Sequence, residues 1–290
     1  MINYLKESTF AVKDVIMQAW KVTRDNYFSI ATFCFMLFIT FSTSTFLAFF
    51  MGQLHIGVRI VMLLIFVILY CIVHLSLLKY IFRVLDHQGD SLMIVDTLPT
   101  RNEIIRFLIG TFYFGLSIFF VGIVLFPILF ILDFVLRFAV SQGWVQNFNQ
   151  FGDVIVKIAV AIAIISIFCT FIRIVFFPFF IIDKQAKPFE SIRLSLATTR
   201  GNFIKLLAIL GALALIQVVV FGFFYWTLSG FNLISMFFNY DINSYVSLLA
   251  AIFSSFVVVP FTTSLFSVAY RKIIKEYKGE EDPDILHNII

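Results

Sequence analysis

Long apolar runs alternate with short basic segments along this chain, and that alternation constrains the fold more than any other feature. Runs near 28–52, 57–79, 104–129, 155–177, 203–228 and 245–269 each reach the roughly 20 mainly apolar residues that a helix needs to cross a bilayer. The Lys and Arg residues collect in four segments around pairs of these runs. They are Lys6, Lys13, Lys21 and Arg24; Lys79, Arg83, Arg101 and Arg106; Lys184, Lys187, Arg193, Arg200 and Lys205; and Arg271, Lys272, Lys275 and Lys278. Only Arg59, Arg137, Lys157 and Arg173 lie elsewhere. Loops rich in Lys and Arg stay on the cytoplasmic side of a membrane, so the pattern predicts six spans with both termini inside.

Composition supports the same reading. A mean hydropathy of +1.01, with 61% hydrophobic residues and only 13% charged ones, lies outside the range of a soluble domain. The expected fold is an all-α membrane bundle, a single domain over residues 1–278 followed by a polar tail at 279–290. No cleavable signal peptide is expected, because the first apolar run is longer than a signal core of about 7–15 residues. Cys34, Cys71 and Cys169 sit inside predicted spans without paired or metal-like spacing, and read as small apolar side chains. No basic cluster stands apart from a span, so membrane lipid rather than nucleic acid is the expected partner of the positive charge.

Three stretches resemble one another: Asp14 to Tyr27, Ser91 to Asn102 and Ser191 to Phe203. Each reads as a short helical segment ending in a Thr-Arg-(x)-Asn turn that launches a span, with Asn26, Asn102 and Asn202 at corresponding positions. Self-similarity of this kind marks a repeated unit. The expected unit is one amphipathic cytoplasmic helix plus two spans, used three times over about 10–83, 90–182 and 188–275. In the first helix Val12, Val15, Ile16, Ala19, Trp20 and Thr23 share a face opposite Lys13, Asp14, Gln18, Lys21 and Arg24. In the third, Pro188 suits a first helical position, Glu190 suits the first turn, and Phe189, Ile192, Leu196 and Thr199 share a face. The Asn residues are expected to cap free N–H groups at the start of the next helix. They and the neighbouring Arg24, Arg101 and Arg200 are candidate lipid or anion contacts, with structural capping and anchoring as the plainer role. The links at 133–153 and 229–244 are aromatic and poor in basic residues, and read as outer interfacial loops.

An ionisable group at membrane depth is a functional candidate because it is costly there unless paired or wet. All 17 Asp and Glu residues fall in links, tails or span ends, which argues against a proton- or cation-coupled transporter. Arg173 and His74 remain. Arg173 either snorkels to the interface, bonds to carbonyls freed by Pro178, or meets an anionic ligand. His74 reads as a hydrogen-bonded core histidine. Thr40, Ser42, Thr43, Ser44 and Thr45 form a hydroxyl cluster in the first span, suited to helix glue or to a polar lining. No HExxH, GxSxG, Walker loop or Cys/His metal spacing occurs, so neither a catalytic centre, a cofactor nor a metal is expected.

The run from Arg173 through Pro178 to Asp183, then Lys187-Pro188-Phe189-Glu190-Ser191 and Arg200-Gly201-Asn202-Phe203, together with Pro260 through Tyr270-Arg271, carries a resemblance. The chain resembles bacterial six-span inner-membrane proteins of the YciC-like type, including the membrane domain fused to some glycerophosphodiester phosphodiesterases. The resemblance implies an inner-membrane helical domain and brings no catalytic residues, since that activity belongs to a separate soluble barrel. Three functional expectations follow. The first is a non-catalytic accessory or scaffold subunit working through lipid and other membrane proteins. The second is a transporter, channel or lipid-handling protein, with Arg173, His74 and the span-one hydroxyls on its path. The third is an enzyme acting on lipids.

Overall fold

The computed structural model describes residues 9–50, 55–86, 97–142, 148–229 and 242–275. The described residues are helical almost throughout, and six helices are long and apolar enough to cross a membrane: Tyr27–Ala48, Ile56–Asp86, Arg101–Val124, Val160–Asp183, Phe203–Thr227 and Ser247–Ile274. Expected residues 91–96, Trp144, the loop around Phe237, Phe238 and Tyr240, and the tail at 279–290 lie outside the described residues.

Helix α1 (Val12–Asp25) leads through Asn26 into the first span, α2 (Tyr27–Phe50), and α3 (Ile56–Asp86) forms the second. Helix α4 (Arg101–Ser141) is followed by α5 (Phe148–Ile174) and the short α6 (Phe177–Asp183), which together form the fourth span. Helix α7 (Pro188–Arg200) precedes the fifth span, α8 (Phe203–Ser229). The sixth span runs through α9 (Ile242–Phe253), a π-helical turn at Ser254–Val258 and α10 (Val259–Lys275). Sequential spans pair as α2 with α3, α4 with α5, and α8 with α9. Helix α1 packs along α10, while α7 packs against α4, α5 and α6.

Two expected elements differ. The outer loop expected at 133–153 is mostly helix: α4 continues to Ser141 and α5 starts at Phe148. Nothing from Asp133 to Ser141 breaks a helix, and Pro127 inside α4 is tolerated as prolines in spanning helices are. In the second unit the helix expected from Ser91 falls almost wholly outside the described residues, of which Thr97 is in a 3₁₀ turn, but the Thr-Arg-Asn sequence after it does not form the expected turn. Leu98–Thr100 are non-helical, Pro99 disfavours helix before it, and Arg101 and Asn102 already belong to the first turn of α4. Thr100 and Glu103 form a reciprocal cap there. The Thr100 N–H donates to Glu103 Oε2 at 2.6 Å, and the Glu103 N–H donates to Thr100 Oγ1 at 3.4 Å.

The buried core is lopsided. On α2 it covers Ile30 to Leu37, on α3 it begins only at Cys71, and on α8 it stops at Leu213. Its centre is Phe176, Phe180, Leu77, Ile81, Val268 and Tyr270, all near the ends where the basic segments lie. Beyond that half the spans expose long rows of Phe, Ile and Val, among them Phe119, Phe120, Ile164, Ile165, Val218 and Val219. Such a surface suits a hydrocarbon solvent, and the protein is a multi-pass membrane protein.

Candidate functional site

At the basic end, side chains from three spans converge on Arg271. Its Nη1 donates to Asp183 Oδ1 and its Nη2 to Asp86 Oδ2, each at 2.6 Å, and its guanidinium lies 4.2 Å from the centre of the Phe82 ring. The Tyr270 hydroxyl donates to the other Asp183 oxygen at 3.1 Å, and Lys184 Nζ lies 3.5 Å from it. One guanidinium thus ties the ends of α3, α6 and α10. The fork geometry of Arg allows both carboxylates to be met at once, which a Lys point charge would not. A second tie joins α3 to the start of α4: Lys79 Nζ donates to Glu103 Oε2 at 2.9 Å and to the Leu98 carbonyl at 3.2 Å.

Between α5 and α6 the helix is interrupted next to Pro178, which has no N–H to donate. Helix α7 supplies the missing partners. Ser195 Oγ accepts from the Phe176 N–H at 3.0 Å and donates to the Arg173 carbonyl at 3.1 Å, and Thr199 Oγ1 lies 3.1 Å from the same carbonyl. Unsatisfied backbone groups in lipid cost several kcal/mol each, so these hydroxyls are what allows the break. The interruption itself lets Phe177 sit against Gly110 of α4, where an added Cβ would come within 2.9 Å of the Phe177 ring.

Two grooves open between helices. One, of about 720 Å³, lies between α2, α3 and α4 and is lined by Thr40, Ser44, Thr45, Arg59, Tyr70 and Thr111 among mostly apolar groups. The other, of about 650 Å³, lies between α1, α8 and the sixth span, with Trp20, Arg24 and Tyr27 on the α1 side.

The expected site residues do not gather in one place. The contacts of Arg173 run through its backbone carbonyl, while its half-buried guanidinium makes no ion pair among the described residues. His74 is held in an aromatic row, parallel to Tyr70 at 5.8 Å and tilted against Phe107 at 5.7 Å. Tyr70 and Phe107 line the first groove, but His74 and Arg173 do not. Arg101, Asn102 and Arg200 are exposed at helix ends. Arg24 borders the second groove, its Nε 3.2 Å from Asp25.

Asn26 and Asn202 do correspond, although their role differs from the expected one. Their side-chain amides donate backwards, to Val22 O at 3.2 Å and Thr198 O at 3.0 Å, and so cap the end of the preceding helix rather than the start of the next. The physical reason is continuity. The Asn26 and Asn202 carbonyls already accept from Ile30 and Leu206 as the new helix begins, and the surplus amide donors fall to the old one. Asn102 has no such place, being inside α4.

Asp86 and Glu103 were not singled out by sequence, and Lys79, Asp183, Tyr270 and Arg271 only as members of the basic segments or of the stretches carrying the resemblance, although opposite charges at the same ends of even-numbered spans were a signal for the Arg271 junction. Among the described residues no group of three His, Cys, Asp or Glu side chains comes together to hold a metal. Fold and site together define a six-span helical membrane protein whose polar groups bind its own helices to each other. Comparison with protein-family models, with curated proteins and with solved structures gives no match.

Proposed function

We propose that the chain is a non-catalytic accessory or scaffold subunit of the bacterial inner membrane, of the YciC-like type, acting through protein and lipid contacts in membrane-protein assembly or envelope biogenesis. The observation that carries this reading is the division of labour along the spans. Polar side chains at the basic end are engaged in holding α3, α4, α6, α7 and α10 together, while the far halves present exposed apolar walls, and one mostly apolar groove opens between helices in each half. A protein built to dock others or to hold lipid needs that kind of surface; a reaction centre needs polar groups free to act.

The basic end is the cytoplasmic side in this reading, with both termini there, the orientation that the clustering of Lys and Arg favours. Three repeated units supply the architecture. Their support is that α1 packs on the second span of the third unit as α7 packs on the second span of the second. In both of those spans an irregular turn ends two residues before a proline, Pro178 or Pro260.

Affinity purification of the full chain in mild detergent, read by mass spectrometry, tests the proposal. A reproducible membrane-protein partner is expected, and a solitary species over repeated preparations overturns it. A second reading, a lipid-handling protein, is favoured by the grooves, which open sideways between helices toward the bilayer.

A further inference from the structure

The second groove has an ordered chemistry along its length. At its α1 end stand Trp20, Arg24 and Tyr27, the residue types that settle at the headgroup level of a membrane. Asp25 engages only Nε of Arg24, and neither Nη is paired among the described residues. The other charges of α1, Lys13, Asp14, Lys21 and Asp25, are exposed and lie outside the groove's lining, so Arg24 is the cation at its mouth. Below it the walls are apolar. Ile209, Ala212, Leu213 and Ile216 follow the i, i+3, i+4, i+7 spacing of one face of α8, and Val257, Val258, Phe261 and Leu265 face them from the sixth span. At 1.5 Å per residue these walls run roughly 10–12 Å into the bilayer.

The groove ends at a defined point. One residue past Ile216, Gln217 bonds Ser254 across the two spans, with Nε2 donating to Oγ at 2.8 Å and Oγ donating to Oε1 at 2.9 Å. Ser254 opens the π-helical turn that contains Val257 and Val258, so the groove wall is formed where the helix is locally widened. Such turns recur at functional sites. Trp20 and Ile16 are exposed on the groove side although Trp20 also meets the Phe261 ring at 6.0 Å, so the protein itself leaves the space unfilled. A volume of about 650 Å³ falls within the range of small-molecule sites, and two helical turns of wall are too short for a docked helix.

We propose that this groove holds an acyl chain of an anionic phospholipid from the leaflet at the basic end, its phosphate against the Arg24 guanidinium and its tail between α8 and the sixth span. The proposal rests on the reading of the protein as one that acts through lipid contacts, and names the lipid and its seat. Arg suits the phosphate because its fork offers two parallel donors. The headgroup charge accounts for preference, and the apolar walls for retention.

Trp20 is a reporter already in place. In the full chain carrying Trp144→Phe and Trp226→Phe, reconstituted with brominated-chain phosphatidylglycerol or brominated-chain phosphatidylcholine, quenching of Trp20 reads occupancy directly. Phosphatidylglycerol should quench at about fivefold lower mole fraction, the preference expected of one cation near the surface. Arg24→Gln should remove that preference while leaving quenching by the zwitterionic lipid. Ala212→Phe, which fills the groove from an exposed position, should weaken quenching by both lipids. Equal quenching by the two lipids in the parent, or no effect of Ala212→Phe, overturns the proposal. Protection of Trp20 from both lipids overturns it in favour of a protein occupant. A lipid preference that persists in a chain without any partner separates failure of the scaffold reading from failure of this site.

Discussion

The two halves of the bundle are built on different principles. At the basic end helices interlock through buried ion pairs, hydroxyl–backbone bonds and a dense aromatic cluster in which the Tyr270 ring lies within about 6 Å of four others. In the far half the same helices carry almost no buried side chains among the described residues, Ala250 being an exception. Helix association in a bilayer draws nothing from the aqueous hydrophobic effect, because lipid tails are as apolar as Leu; packing and polar contacts must supply it. The protein concentrates both in one half and leaves the other half to whatever surrounds it.

Breaking the comparison should be easiest at Arg271. Arg271→Ala leaves Asp183 and Asp86 without their shared partner at partly buried positions, and should lower stability by about 3–5 kcal/mol in unfolding measurements in detergent. Arg271→Lys should recover part of this, since a point charge reaches one carboxylate well and the other poorly. If Arg271→Ala unfolds like the parent, the junction is not what holds α3, α6 and α10 together. The helix interruption offers a smaller effect. Ser195→Ala strands the Phe176 N–H and removes one donor from the Arg173 carbonyl, and should cost about 1–3 kcal/mol by the same measurement. No loss would mean that the backbone closes over the break by itself.

Glycines sharpen the contrast with effects of opposite sign. Gly110→Ala pushes a Cβ into the Phe177 ring and should destabilise by about 1 kcal/mol or more, as overpacking does. Gly115 and Gly122, farther along the same helix, have nothing within 4 Å of an added Cβ. Alanine there should be neutral or should stabilise by up to about 0.5–1 kcal/mol through helix propensity. Equal penalties at all three sites would show that the far half is packed after all.

Much of the architecture was legible in the sequence because lipid leaves so few options: length and hydropathy mark a span, and six are found close to the expected positions. The ends were harder. Asp133 and the aromatic residues beside it read as a loop, yet helix persists to Ser141 because nothing there competes with it. Of the three asparagines in the Thr-Arg-Asn sequences, Asn26 and Asn202 make the same backward hydrogen bond, whereas Asn102 lies inside α4, where Pro99 had already reset the helix start. The Arg271 junction pairs residues 88 and 185 positions apart, and no local pattern encodes such a meeting. Arg173 was noticed for its charge, whereas its carbonyl makes the contacts seen in the structure; a side-chain reading cannot see a backbone acceptor left open where the helix breaks after Ile174.

Helix α4 has a consequence for height. Its 41 residues make a rod of roughly 60 Å, while a hydrocarbon core is only about 30 Å thick. The charges of Asp133 and Arg137 resist submersion, so tilt takes up only part of the difference. Set upright, the rod would overhang that core by about 30 Å, so part of α4 has to lie at or beyond an interface, the depth at which Asp133 and Arg137 cost least.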